Sequence, residues 1–200
     1  YIQIIASAQS GIKTLADLKG KRVSVGAPRS GTELNARAVL KAAGLSYQDL
    51  GKVEYLPFGE SVELIKNRQL DATLQSAGLG VASIRDLATS VKIVVVPVPA
   101  DVIAKIGDPA YQAMTIPAGT YEGQDADVPT TAVNNFLVNH SGVSDEIAYK
   151  MTKALFEHLD QMVSAHSAAK SIRLEKALAG MPLPLHPGAE KFYREKGILK

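Results

Sequence analysis

The sequence predicts an α/β fold built on a largely parallel sheet. Two observations predict it. Strand-like and helix-like stretches alternate through the first hundred residues, and the fourth strand-like stretch, residues 91–98 (VKIVVVPV), is close to continuously apolar. Strands buried on both faces beneath covering helices have this composition. The resulting β-α-β-α-β-α-β order implies right-handed crossovers between parallel strands.

Residues 21–26 (KRVSVG) read as the first of these strands, and a loop over 27–31 leads into a helix over 32–43 that ends at Gly44. Residues 53–57 (VEYLP) form the second strand. Gly59, Glu60 and Ser61 then open a helix with apolar positions Val62, Leu64, Ile65 and Leu70, and Glu60 and Ser61 are expected to cap it. A short strand over 71–75, a helix over 79–88 and a strand over 91–98 complete the alternation. Residues 107–129 are rich in Pro, Gly and Asp and read as a long ordered loop holding one or two strands. Residues 130–138 (TTAVNNFLV) read as a further strand. A long helix follows, capped by Ser144, with Asp145 and Glu146 in its first turn and an apolar stripe of Ile147, Met151, Leu155, Leu159 and Met162. A less regular helix over 168–178 and a last helix over 188–196, stopped by Gly197, close the chain.

Composition excludes several functions. The 200 residues are 46% hydrophobic and 21% charged, which rules out wholesale disorder. A net charge of +2 with no dense Lys/Arg block does not suggest nucleic acid, since neutralising phosphates needs clustered basic residues. With no cysteine, disulfides, cysteine-ligated zinc and thiol catalysis are excluded. No apolar run approaches the roughly 18–20 residues that span a bilayer. No signal peptide is visible at Tyr1, which leaves a cytosolic chain, a processed one or an excerpt.

The most informative stretch is residues 26–32 (GAPRSGT), between a strand and a helix. A helix start presents unpaired N–H groups and the positive end of the helix dipole. Gly31 permits close approach of a ligand, and the Ser30 and Thr32 hydroxyls are hydrogen-bond donors. A carboxylate there gains about 1.5–3 kcal/mol per charge-assisted hydrogen bond and about 0.3–2 kcal/mol from the dipole. The residues alone leave two readings open, anion contact or simple helix capping by Ser30 or Thr32. The stretch is not a P-loop, because no Gly-Lys-Ser/Thr follows at the correct spacing, nor a dinucleotide fingerprint, because G-x-G-x-x-G is absent.

The loops after the next two strands, 58–61 and 75–78, open onto the same sheet edge, where ligands of open α/β sheets sit. Of these residues, Gln75 and Ser76 are the better candidate contacts, since uncharged polar groups suit a desolvated site. Catalysis is poorly supported. His140, His158, His166 and His186 lack a neighbouring carboxylate pattern and suit surface or helix-end positions, no G-x-S-x-G elbow is present, and Asp125 and Asp127 lie in a loop. The residues imply no cofactor and no metal.

Several segments together resemble a known family. Residues 10–28 (SGIKTLADLKGKRVSVGAP) continuing into 30–32 (SGT), then 70–72 (LDA), 121–123 (YEG), 127–130 (DVPT), 149–156 (YKMTKALF) and 186–197 (HPGAEKFYREKG), are similar to the TAXI proteins. These are extracytoplasmic solute receptors of TRAP transporters. The resemblance implies a type II periplasmic-binding-protein-like α/β fold whose two lobes close around a small anionic solute, an amino acid or organic acid. It implies that Ser30, Gly31 and Thr32 hold a ligand carboxylate, with Gln75, Ser76 and Gly78 following by position, and that the partners are TRAP membrane subunits in the periplasm. Residues 11–117 are expected as the complete second lobe. Residues 118–200, together with 1–10, are expected as the C-terminal part of the first lobe and the interlobe connections. The Gly-rich turn and aromatic contacts with which the family's first lobe begins are not in this sequence, so that part is expected to expose apolar edges and to self-associate. A ligand-sensing effector domain of a transcription regulator shares the fold and is the main alternative. An enzyme on the same fold lacks a nucleophile–base pair.

Overall fold

The computed structural model describes residues 1–200 and divides into two compact units, Tyr1–Val133 and Asn134–Lys200. In the first unit, strands β1 (Ile2–Ser7), β2 (Arg22–Ser24), β3 (Lys52–Glu54), β4 (Ala72–Ser76) and β5 (Ile93–Val96) form one sheet in the order β3-β2-β4-β1-β5. β2 runs parallel to β3 and β4. β1 lies antiparallel between β4 and β5, with Gln3 opposite Gln75 and Ile4 opposite Val96.

This differs from the expected four-stranded parallel sheet. Residues 1–10, expected with the C-terminal part, supply the inserted strand, and the compact unit runs to Val133 rather than 117. The physical reason is burial. Ile2, Ile4 and Ala6 join one core while Ile5 joins the other, so β1 is buried on both faces between the helix layers.

Helices α1 (Gly31–Ala42) and α4 (Ala100–Ile106) cover one face, packing Ala36, Val39, Leu40, Val102 and Ile103 on Ile4, Val23 and Leu74. Helices α2 (Phe58–Lys66) and α3 (Ala82–Ser90) cover the other, setting Val62, Ile65, Ile84 and Leu87 against Ile5, Ile93 and Val95. Each fully buried Ile or Leu contributes about 1.5–3 kcal/mol relative to exposure. Helix α4 was not expected. Its seven residues, bounded by Pro99 and Gly107, are too short to show periodicity.

The 107–129 region holds β6 (Gln112–Ile116), which pairs antiparallel with β7 (Val128–Ala132). The strand expected over 130–138 starts earlier and stops at Ala132, because its partner begins at Gln112 and offers no ladder beyond that pair. Between the two strands, the buried Gln124 organises the loop by donating from Nε2 to the carbonyls of Pro117 (3.0 Å) and Ala126 (2.9 Å).

The second unit contains α5 (Asp145–Glu157), α6 (Leu159–Ala165) and α7 (Pro187–Glu195). Ser144 caps α5 as expected, its Oγ accepting from the Ile147 amide at 3.3 Å. The long helix breaks at His158, and the expected stripe is not the packed face, since Ile147 is 53% exposed and Met151 42%. Packing runs instead through Phe156, which stacks on the buried Phe192 of α7 with ring centroids 5.7 Å apart. At the helix crossing a Cβ on Gly188 would lie 2.1 Å from the Asp145 carbonyl oxygen, so only glycine permits this approach. The helix expected over 168–178 is two short 3-10 turns, Ser167–Ser171 and Leu174–Lys176. No helix is long and apolar enough to cross a membrane.

Candidate functional site

The parallel strands β2, β3 and β4 all end on one edge of the sheet, and each is followed by a helix start: α1 at Gly31, α2 at Phe58 and α3 at Ala82. The first of these carries the densest polar constellation. Ser30 is the N-cap of α1, and its Oγ accepts from the Glu33 amide at 3.2 Å. The Ser30 carbonyl accepts from Leu34 N–H at 3.2 Å. The amides of Gly31 and Thr32 have no protein partner. The capping reading therefore holds for Ser30, while the next two residues keep their donors free.

Thr32 is 8% exposed, and its hydroxyl has no hydrogen bond within the protein. Its position is fixed by Gly26. That residue has φ +94°, and a Cβ there would sit 2.5 Å from Thr32 Cγ2. The methyl group occupies the space a side chain would take. Gly31 has open space around its Cα, with no atom within 4 Å of where a Cβ would stand. Arg29 is exposed and adopts the left-handed conformation at φ 59°.

The local charge is compensated. Glu33 is buried in the first turn of α1, but Arg37 Nη2 lies 2.5 Å from its Oε1 and Tyr47 Oη donates to the same oxygen at 2.9 Å. Burial, then the bond to Glu33, pushes the Tyr47 phenol upward, so it stays a donor. The Arg37 guanidinium also lies over the Tyr47 ring, 4.9 Å from its centroid.

The strand alternation of β4 divides the other candidates. Ser76 points to the α1 side, where its Oγ accepts from Asn35 Nδ2 at 2.9 Å. Gln75 points to the opposite side and is 0% exposed. There its Oε1 accepts from Ser83 Oγ at 2.7 Å, and its Nε2 has no protein partner. The structure thus links Ser76 to α1 and leaves the Gln75 side chain beneath α3. Gly78 contributes a carbonyl that accepts from Gln3 Nε2 at 3.4 Å.

Two expectations from the residues are corrected. Ser61 does not cap α2. It is buried inside the helix, where its Oγ donates to the Pro57 carbonyl at 2.9 Å and meets Ser24 Oγ at 2.7 Å. Glu60 is exposed in the first turn, and the N-cap position belongs to Pro57. The histidines sit at helix ends or turns. His140, His166 and His186 each accept from an amide two residues on, and His158 joins α5 to α6.

Sequence reasoning missed Gln3, Tyr121, Asn35 and Tyr111. Tyr121 is buried, donates to Gln3 Oε1 and accepts from Gly80 N–H at 3.2 Å, so it anchors the loop after β4. Burial drives its phenol pKa upward. The available signal was the lone Gln3 inside the apolar run IQIIAS, since a buried amide demands partners.

The fold and this edge define an α/β unit whose helix start offers free amides and hydroxyls to an acceptor group. The model of the NMT1-like family matches residues 1–197, and the chain belongs to that family. Among solved structures, the chain is similar to the alkanesulfonate-binding protein SsuA from Xanthomonas axonopodis pv. citri bound to MOPS, at 16% identity and a TM-score of 0.49, over 96% of this chain and 54% of that one. It is similar to the periplasmic aliphatic sulphonate binding protein SsuA from Escherichia coli at 16% identity and a TM-score of 0.47, over 96% of this chain and 51% of that one. With an ancestral arginine-binding protein bound to arginine it shares 20% identity at a TM-score of 0.42, over 84% of this chain and 56% of that one. The chain spans about half the length of these solved structures.

Proposed function

We propose that the protein is an extracytoplasmic receptor of the TAXI type that binds a small carboxylate ligand, a glutamate- or glutamine-like amino acid or an organic acid. It hands this ligand to the membrane subunits of a TRAP transporter. Residues 1–133 would belong to one ligand-closing lobe, with the ligand favouring the closed state by contacting this lobe and a second one.

The observation that carries the reading is the pair of unpartnered amides at Gly31 and Thr32, beside an unpartnered Thr32 hydroxyl, at the start of a twelve-residue helix. Three unpartnered donors lie at the positive end of the helix dipole, and a carboxylate has acceptor capacity for all of them. The Ser76 hydroxyl is tied to the same helix through Asn35. Ser30 contributes by holding the helix start in place. Gln75 and Gly78 shape the loop after β4 rather than offer free donors.

A thermal-shift screen against L-glutamate, L-glutamine, succinate and related dicarboxylates tests this, followed by calorimetry on any hit. A carboxylate raising the melting temperature in proportion to the logarithm of its concentration is expected. No shift with any of these acids, or equal shifts with their uncharged esters, refutes the carboxylate receptor.

A further inference from the structure

We infer that Asn35 and Tyr111 are positioning residues that set the polarity of the proposed anion site, leaving the Ser76 hydroxyl with its hydrogen free to donate. This rests on the receptor reading above and adds how the site selects the ligand group it takes.

Three distant segments meet in one chain of hydrogen bonds. Tyr111 Oη donates to Asn35 Oδ1 at 2.8 Å, and Asn35 Nδ2 donates to Ser76 Oγ at 2.9 Å. Asn35 is 9% exposed on α1, one turn beyond the free amides, while Ser76 closes β4 and Tyr111 precedes β6. A hydroxyl has one hydrogen and two lone pairs. Ser76 Oγ accepts from Asn35 and donates to no protein group, so its hydrogen is left to point elsewhere.

The direction is set from the Tyr111 end. The Tyr111 turn is tied down, its amide donating to the Asp108 carbonyl at 3.1 Å and the Ala110 amide donating to Asp108 Oδ1 at 2.9 Å. Burial, with Asp108 adding to it, raises the Tyr111 phenol pKa, so the hydroxyl keeps its proton through the physiological range. With its oxygen engaged by that phenol, the Asn35 amide presents its NH2 side to Ser76. The relay Tyr111 to Asn35 to Ser76 therefore ends in a hydrogen, matching the donors of Gly31 and Thr32. The Gly31 and Thr32 amides can only donate and the Ser76 hydroxyl has a hydrogen to give, a set that favours an acceptor-rich oxyanion over an ammonium.

The relay is tested by calorimetry with L-glutamate, succinate and methanesulfonate as probes, on wild type, Tyr111→Phe, Ser76→Ala, the double variant and Asn35→Asp. Tyr111→Phe keeps the ring and is expected to weaken the best probe about 3- to 10-fold, with a lowered melting temperature read in parallel because Asn35 Oδ1 loses its donor, and Ser76→Ala about 10-fold. The double variant is expected to bind no more weakly than Ser76→Ala alone, because Tyr111 acts only through Ser76. Asn35→Asp makes Ser76 donate inward and adds a negative charge, so a loss of about 100-fold or more is expected. Wild-type affinity in Tyr111→Phe, or losses that add in the double variant, overturns the relay while leaving the receptor reading intact. If the wild type binds none of the three probes, the receptor reading falls and the relay with it.

Discussion

Replacing Thr32 by Val separates ligand binding from folding. The side chain is nearly buried, its methyl group is pressed against Gly26, and its hydroxyl has no partner in the protein. Valine keeps the methyl contact and the branched shape while removing only the oxygen. No internal hydrogen bond is lost, so stability is expected to change by no more than about 0.5 kcal/mol, or roughly 1–3 °C in melting temperature for a unit of this size. A hydrogen bond from the hydroxyl to a carboxylate is worth about 1.5–3 kcal/mol, which corresponds to a roughly 10- to 150-fold rise in Kd. Calorimetric titration of L-glutamate or the best acid from the screen, beside a thermal melt of each protein, reads both quantities. Unchanged affinity would remove Thr32 from the site. A melting temperature lowered by more than about 5 °C would mean that the hydroxyl has a structural partner, and the argument from its free donor would fail.

Three further outcomes follow from the same contacts. Tyr121→Phe leaves Gln3 Oε1 and the Gly80 amide without their partner, and is expected to cost about 1–3 kcal/mol in urea denaturation. Phe192→Ala empties the centre of the aromatic cluster with Phe156, Tyr149 and Tyr193, and is expected to cost about 3–5 kcal/mol by the same measurement. Asp71 is held below the ordinary carboxylate range first by the Arg22 guanidinium and also by the Arg22 amide at 2.8 Å. A depressed folded-state pKa gives stability that is present above the unfolded value and is lost as pH falls through the folded one. Asp71→Asn is therefore expected to be less stable than wild type at pH 7 and to show a flatter loss of stability below about pH 4. Parallel acid limbs in the two proteins would refute this.

The alternation of the first hundred residues was legible because helix and turn signals separate short strand-like stretches, and β2 to β5 fall on those stretches, with β5 written as an apolar run. β1 is such a run too, but its place between β4 and β5 depends on pairing across some seventy residues, which local periodicity does not encode. The stripe from Ile147 to Met162 shows the opposite failure. Its spacing is helical, yet the crossing with α7 is decided by Gly188, where backbone meets backbone, and by the ring of Phe192. The GAPRSGT corner was legible as a helix start with donors. Its division of labour was not, because a sequence does not tell whether Ser30 or Thr32 spends its hydroxyl on the helix.

Gln75 and Ser76 end the same strand but go to opposite faces of the sheet. Adjacent residues of a strand face opposite sides of the sheet, so a loop offering two polar residues in a row delivers only one to any given site. Here Ser76 goes to α1 and becomes the end of the Asn35 relay, while Gln75 goes under α3, where its Oε1 accepts from Ser83 and its Nε2 has no partner. A buried amide without its full set of bonds costs about 1–3 kcal/mol, and such a cost is tolerated where it holds something else in register. Gln75 lies opposite Gln3 in the β1–β4 ladder, and Gln3 in turn binds the Ala77 and Gly78 carbonyls and Tyr121. The polar residues on the α3 side thus fix the backbone just beyond Ser76, and those on the α1 side fix the hydroxyl itself. A site whose ligand supplies the last acceptor needs both, since a donor aimed correctly on a mobile strand end loses its direction before the ligand arrives.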